Sequence, residues 1–278
     1  MRLFTALLLV IPAYSAELDT KILRLIPDDA EAVFGADRQR FRGSGLSQVV
    51  PYEEPYRGYF QVPGARAIVF AHSKNGDLAI FQGAVFQEAN SGYTSTRETR
   101  GDVSVVHTGP VSSAILSEGI VIAGEGQAVE SALERRANFK GELNVAAMKA
   151  RQLSATFDNW FYLARPMEQI NGKGPNVPTR YFKDLVDSVE EASGGFQLGG
   201  IIRFQVDVVA KRAEDAQTLA GVAKWLPALM ESKGGSDVKF IATLQDLETR
   251  ASGNVATMRF SIQEEKLLEL KREDERPK

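Results

Sequence analysis

The sequence predicts an α+β protein of two similar halves, each a mostly antiparallel sheet covered on one face by helices. Segments that alternate apolar and polar residues, turn residues suited to hairpins, and an order of elements that occurs twice along the 278 residues all lead to this reading.

Alternation is plainest late in the chain. Successive residues of a strand point to opposite faces. In "IRFQVDVV", Ile202, Phe204, Val206 and Val208 therefore share one face, and Arg203, Gln205 and Asp207 share the other. "VKFIATLQ" groups Val238, Phe240, Ala242 and Leu244, and "VATMRFSI" groups Ala256, Met258, Phe260 and Ile262. Between the first two lies "AEDAQTLAGVAKWLPALM", where Ala216, Leu219, Ala220, Ala223, Leu226 and Met230 recur at helical spacing and form one apolar stripe. Each strand thus has a dry face, and the helix has a stripe with which to cover it.

The turns fit antiparallel pairing. Asn75-Gly76 separates "ARAIVFAHS" from "DLAIFQGAVF", a two-residue hairpin signal whose central positions both favour positive φ. Gly253-Asn254 plays the same part before the last strand, and Gly234-Gly235 after Lys233 marks a helix C-terminus.

Laid side by side, the halves repeat an order of elements. The first runs from the strand "EAVFGAD" through a short helix near 39–50, a hairpin over 65–87 and a polar crossover, to strands near 102–108, 113–117 and 119–124 and a helix over 126–137. The second runs from "NWFYLA" through a helix "YFKDLVDSVEEA", a strand pair over 195–210, a helix over 213–231 and a hairpin over 238–263, to a helix over 264–271. Both halves end with a strand feeding a terminal helix, "IVIAGEGQAVESALERR" and "ATMRFSIQEEKLLELKR". The boundaries are a leader at 1–16, repeats at 17–145 and 146–271, and a charged tail at 272–278.

The leader "MRLFTALLLVIPAYSA" places Arg2 before an apolar run, then Pro12 and small residues, the layout of a cleaved signal peptide. The run is about half the roughly 20 residues that a spanning helix needs, so no transmembrane span is expected in the mature chain. The absence of cysteine excludes disulfides and thiolate metal sites. A net charge of -3, without a long basic block, argues against nucleic acid as a partner. The expected location is periplasmic or secreted.

Catalytic motifs are sparse. "GIVIAGEGQAVESAL" has Gly124 and Gly126, but Val129 stands where a dinucleotide loop needs a third glycine, and Glu125 and Glu130 would repel a pyrophosphate. It reads as a strand-to-helix corner, and no cofactor or metal is expected. His72 and His107 are the only imidazoles, each within a strand pattern, and no G-x-S-x-G elbow occurs. The acidic pairs Asp28-Asp29, Glu53-Glu54, Glu190-Glu191 and Glu264-Glu265 read as solvated turns or helix faces. Two loops offer binding chemistry. "VPYEEPYRGYFQVPG" gathers Tyr52, Tyr56, Tyr59 and Phe60 for an envelope protein or glycan, and "RPMEQINGKGPNVPTR" sets Arg165, Lys173 and Arg180 for an anion.

The leader, "LIPDDAEAVFGADRQRFRGSGLSQ", "IVIAGEGQAVESALERR" and "QLGGIIRFQVDVVAKRAEDAQTLAGVAKWL" together resemble exported proteins of unknown function from soil bacteria of the acidobacterial type. The resemblance implies an exported, repeat-containing α+β protein and brings no catalytic residues. The expected function is non-catalytic binding or interaction in the bacterial envelope. The alternatives are an envelope hydrolase using His72 or an acidic pair, and a small-molecule carrier that binds between the halves.

Overall fold

The structure, a computed structural model, describes residues 18–49, 63–84, 95–116, 119–165, 184–185, 187–224 and 247–274. The leader, most of the aromatic loop, Lys173, Arg180, the strand predicted over 238–245 and the last four residues lie outside this set.

The chain opens with a short helix α1 (Thr20–Leu23), capped by the Asp19 carboxylate, which accepts from the Lys21 N–H at 3.0 Å. Strand β1 (Ala32–Asp37) follows, then the short helices α2 (Arg38–Arg42) and α3 (Leu46–Val49). Next come β2 (Ala67–Ser73), β3 (Gly76–Gln82), β4 (Ser95–Arg100), β5 (Val103–Thr108), β6 (Val111–Leu116) and β7 (Ile120–Glu125). β7 runs without a linker into α4 (Gly126–Asn138), as expected for a corner. The remainder comprises α5 (Val145–Thr156), β8 (Asn159–Ala164), β9 (Val189–Gln197), β10 (Ile201–Ala210), α6 (Ala213–Ala223), β11 (Glu248–Ser252), β12 (Val255–Gln263) and α7 (Glu264–Asp274).

Among the described residues these strands form one antiparallel sheet of twelve, in the order β11-β12-β10-β9-β8-β1-β2-β3-β7-β6-β5-β4. The halves meet where β1 pairs with β8, Val33 opposite Tyr162 and Gly35 opposite Trp160. They share a sheet instead of closing separate ones.

Register fixes which side chains share a face. One row crosses all twelve strands: Glu98, Val105, Ala114, Ile122, Ile80, Val69, Gly35, Trp160, Gly195, Gln205, Arg259, Glu248. Its apolar part belongs to the largest core, in which Ile22, Leu23, Leu25 and Ile26 from the α1 region, Ala128, Val129 and Ala132 from α4, and Ala146, Ala147 and Ala150 from α5 cover the sheet. Beyond β9 the covering shifts to the opposite face. There Val208, Ala251 and Ala256 meet Ala216 and Ala220 of α6, while Ile202 and Ile262 meet Leu267 of α7, Phe41 and Leu46. Phe196, Phe204 and Phe260 stand in one cross-strand row on that side, with ring centroids 5.3 and 4.3 Å apart. Aromatic neighbours of this kind add about 0.5–1.5 kcal/mol beyond their burial.

Several elements depart from the sequence reading. The polar crossover contains β4, whose "STRETR" is exposed along nearly its whole length and is held by pairing with β5 alone, so it shows no alternation. α5 escaped notice because its buried stripe is Ala146, Ala147, Ala150 and Ser154, too small to give a strong apolar period; Asn144 caps it by accepting from the Ala147 N–H at 2.8 Å. The predicted helix "YFKDLVDSVEEA" gives way to strand at Val189, because Val189–Ala192 pair with β10. The partner of β12 across Gly253-Asn254 is "ETRAS" of β11. At the β2–β3 hairpin only Gly76 has positive φ, 101°, while Ser73 pairs with Gly76, so Lys74 and Asn75 occupy the turn. The positive-φ glycine thus follows the two central residues, in place of a turn with two positive-φ centres.

Candidate functional site

Because α6 and α7 cover the opposite face, the first face of β10, β12 and β11 is left to polar side chains. Gln197, Arg203 and Ser261 stand in one row, and Gln205, Arg259 and Glu248 in the next. With Thr156 and Phe157 at the end of α5, and with Leu247, Phe204 and Phe260, they line an open cleft of about 760 Å³. Ligand sites commonly occupy about 300–1,000 Å³, so the cleft is large enough for a small polar molecule or a short stretch of polymer.

The cleft floor is ordered by its own hydrogen bonds. Arg259 Nε donates to Gln205 Oε1 at 2.9 Å, and Gln205 Nε2 donates to Asp207 Oδ2 at 2.8 Å. The Thr257 hydroxyl donates to Asp207 Oδ1 at 2.7 Å. Gln197 Nε2 donates to the Thr156 carbonyl at 2.7 Å, tying the sheet to the end of α5. These links hold the amides and the guanidinium stem in place before any ligand arrives, which lowers the ordering cost of binding.

Both histidines have carboxylate neighbours. His107 Nδ1 lies 2.9 Å from Ser112 Oγ, and Nε2 lies 3.2 Å from Glu98 Oε1. The hydrogen bond from His107, together with Arg100, holds the Glu98 carboxyl below its ordinary value. A hydroxyl, an imidazole and a carboxylate in series have the connectivity of a nucleophilic triad. Ser112, however, is only 4% exposed, its hydroxyl set beneath Gly126 at the start of α4. A hydroxyl closed off in this way cannot meet a substrate, and the cluster instead locks β4, β5 and β6 together. Sequence reading could not find Glu98 as a partner because it lies in the unrecognised strand β4.

His72 pairs with Asp77 directly across the β2–β3 hairpin, Nδ1 to Oδ1 at 2.7 Å, where both side chains are exposed. Ser73 is buried on the other side of β2, so the neighbours in "HSKNGD" do not converge. The acidic pairs are engaged more than a solvated reading allows. Asp28 accepts from Asn144 Nδ2 at 2.8 Å, and Asp29 sits 3.3 Å from Lys74 Nζ. Glu190-Glu191 lies in β9 instead of on a helix, and Glu191 is 2.5 Å from Lys149 Nζ. Glu264-Glu265 opens α7, where carboxylates favour the helix dipole.

At the strand-to-helix corner, a Cβ on Gly124 would come within 2.1 Å of the Asp77 carbonyl oxygen, so glycine is required by the close approach of β3. This packing accounts for the first glycine of "GEG".

The fold is shared with TP0453. Crystal form I of that protein superposes with a TM-score of 0.52 at 11% identity, covering 93% of this chain and 98% of that chain. Crystal forms III and IV give TM-scores of 0.52 and 0.53. No protein-family model matches the chain, and no curated protein matches it. The likeness to TP0453 concerns architecture: a large antiparallel sheet with helices, spanning nearly the whole of both chains.

Of the residues expected to bind, Arg165 lies at the end of β8 in the left-handed region, φ 48°, with its N–H donating to the Glu190 carbonyl at 2.8 Å. Lys173, Arg180, Tyr52, Tyr56, Tyr59 and Phe60 lie outside the described residues. The cleft residues Arg203, Gln205 and Arg259 were legible only as the wet side of alternating strands. Nothing in the sequence separates a wet face that lines a cleft from one that merely meets solvent.

Proposed function

We propose that the chain is an exported, non-catalytic binding protein of the bacterial cell envelope that receives a polar ligand in the cleft over β10, β12 and β11. The observation carrying this reading is the conjunction of a cleft of about 760 Å³ with a hydrogen-bonded floor running from Arg259 through Gln205 and Asp207 to Thr257. Export is supported by the arrangement of Arg2, the apolar run and Pro12 in the leader.

An ancestral duplication is part of the same reading. Outward from the β1–β8 seam, the strand order is β1, β2, β3, β7, β6, β5, β4 on one side and β8, β9, β10, β12, β11 on the other, and the correspondence of the first five strands supports two copies of one topology. The copies then differ in where their last helices pack, α4 on the first face and α7 on the second. That divergence opens the cleft in one half alone.

The test is thermal melting of the mature chain with muropeptides from a wall digest and with neutral oligosaccharides. A rise in midpoint that is absent in Arg259→Ala is expected. No rise with either set, or a rise that Arg259→Ala retains, overturns the cleft as the site. In the latter case Tyr56→Ser with Tyr59→Ser asks whether the aromatic loop takes its place.

A further inference from the structure

Resting on that reading of the cleft, we infer that its ligand carries an anionic group, a carboxylate or a phosphate, held between Arg203 and Arg259. The two arginines lie on adjacent strands of one face: Arg203 is opposite Ser261, and Arg259 is two residues before it. Diagonal positions of this kind are roughly 7–8 Å apart, near enough for two long side chains to converge on one group.

Their surroundings distinguish them from the arginines that are held in ion pairs. Arg40 pairs with Asp158, Arg100 with Glu98 and Glu130, Arg136 with Asp102, and Arg212 with Asp215. Among the described residues, Arg203 and Arg259 have no carboxylate at ion-pair distance. Arg203 faces Gln197 and Ser261 across the strands, neither of which is charged. Arg259 uses Nε on Gln205, which orients the guanidinium and leaves its terminal nitrogens as donors. Glu248 is the one carboxylate lining the cleft, set opposite Arg259 on the edge strand. Two guanidinium groups line the cleft against this one lining carboxylate, while the Asp207 carboxylate of its floor is engaged by Gln205 and Thr257.

The chemistry follows from the donor set. Guanidinium groups present planar forks that match the two oxygens of a carboxylate or phosphate. Gln197, Gln205 and Ser261 add neutral amides and a hydroxyl suited to the polar remainder of the molecule. The site is open, so the attraction is screened by salt and falls as ionic strength rises.

Calorimetric titration of the mature chain with trigalacturonate, neutral galactotriose and inorganic phosphate tests this. In low salt, at least one anionic probe binds more tightly than the neutral sugar by about 10-fold or more. Arg203→Ala with Arg259→Ala weakens that probe by about 10- to 100-fold while the melting midpoint holds, and Glu248→Gln tightens it. Preference for trigalacturonate assigns a carboxylate, and preference for phosphate assigns a phosphoryl group. Equal binding of galactotriose and the anions overturns the anion inference and leaves the cleft reading standing. Binding by none of the three, or anion binding that survives the double substitution, overturns the inference as well.

Discussion

On one face of the sheet, the strands from β5 to β8 present Val105, Ala114, Ile122, Ile80, Val69 and Trp160. The same row continued across β10, β12 and β11 presents Gln205, Arg259 and Glu248. Helices account for the change. Strands lie about 4.8 Å apart, so a sheet of this width measures roughly 50 Å, whereas a helix with its side chains covers about 10–12 Å. α1, α4 and α5 dry the first face only as far as β9, and α6 and α7 dry the other face beyond it. On the other face the first part keeps a separate buried cluster of Ile68, Ala79, Phe81 and Val121, whereas the first face beyond β9 is polar. The end of α5 turns that polar surface into a cleft.

The junction between the two parts is where the comparison can be broken most severely. Asp158 is buried at the start of β8, pairs with Arg40 of α2, and accepts from the Leu198 N–H at 2.6 Å, while its carbonyl accepts from the Asp37 N–H at 2.7 Å. Replacing it with alanine removes a carboxylate partner of Arg40 and leaves the Leu198 amide without its acceptor. Asp158→Ala should cost about 3–5 kcal/mol in denaturant unfolding. If the two parts are a single cooperative unit, fluorescence and far-UV transitions of this variant stay coincident; separated transitions would show that the seam no longer couples them.

A matched pair of truncations sharpens the same question. Ile122 and Ile202 are both fully buried, the first under α4 and the second under α7 with Phe41 and Leu46. Each alanine substitution should cost about 2–5 kcal/mol through lost transfer energy and a residual cavity. The larger loss is expected for Ile122, whose core is more extensive and less able to collapse. Equal losses, measured as shifts in denaturant midpoint at constant slope, would mean that the smaller core is packed as rigidly.

The smallest effect concerns the outer strands of the first part. The Glu98 carboxyl titrates below its ordinary 4.5, chiefly through the hydrogen bond from His107 and then through Arg100. A carboxyl lowered in the folded state contributes stability that is present above its unfolded value and is lost as pH falls through the folded value. Glu98→Gln should therefore flatten a slight decline in melting temperature between about pH 5 and about pH 3. The group is exposed, so the change is small. An unaltered acid limb would assign the decline to other carboxylates.

Much of the fold was legible because strand alternation and hairpin glycines act locally. The faces of β10 and β12, the β7–α4 corner and the turn at Gly253 all follow from residues adjacent in sequence. The misses share a cause: β4 is polar on both sides, α5 buries alanines, and Val189–Ala192 takes strand geometry from β10. In each case a partner distant in the chain supplies the stabilisation that the local sequence does not advertise. The candidate site was legible only in part for the same reason, since Arg203 and Arg259 were visible as wet-face residues while their place on one face of adjacent strands depends on register.

The sequence by itself determined the antiparallel α+β class, the alternation that places Phe204 and Arg203 on opposite faces, and the glycine at position 124 in a strand-to-helix corner. These rest on backbone geometry and side-chain period, which operate within a few residues. Only the tertiary structure decided that one sheet runs through both halves, that helices change sides beyond β9, and that the polar face left behind becomes a cleft. Those outcomes depend on pairing across more than a hundred residues and on which surface a helix of limited width is free to cover.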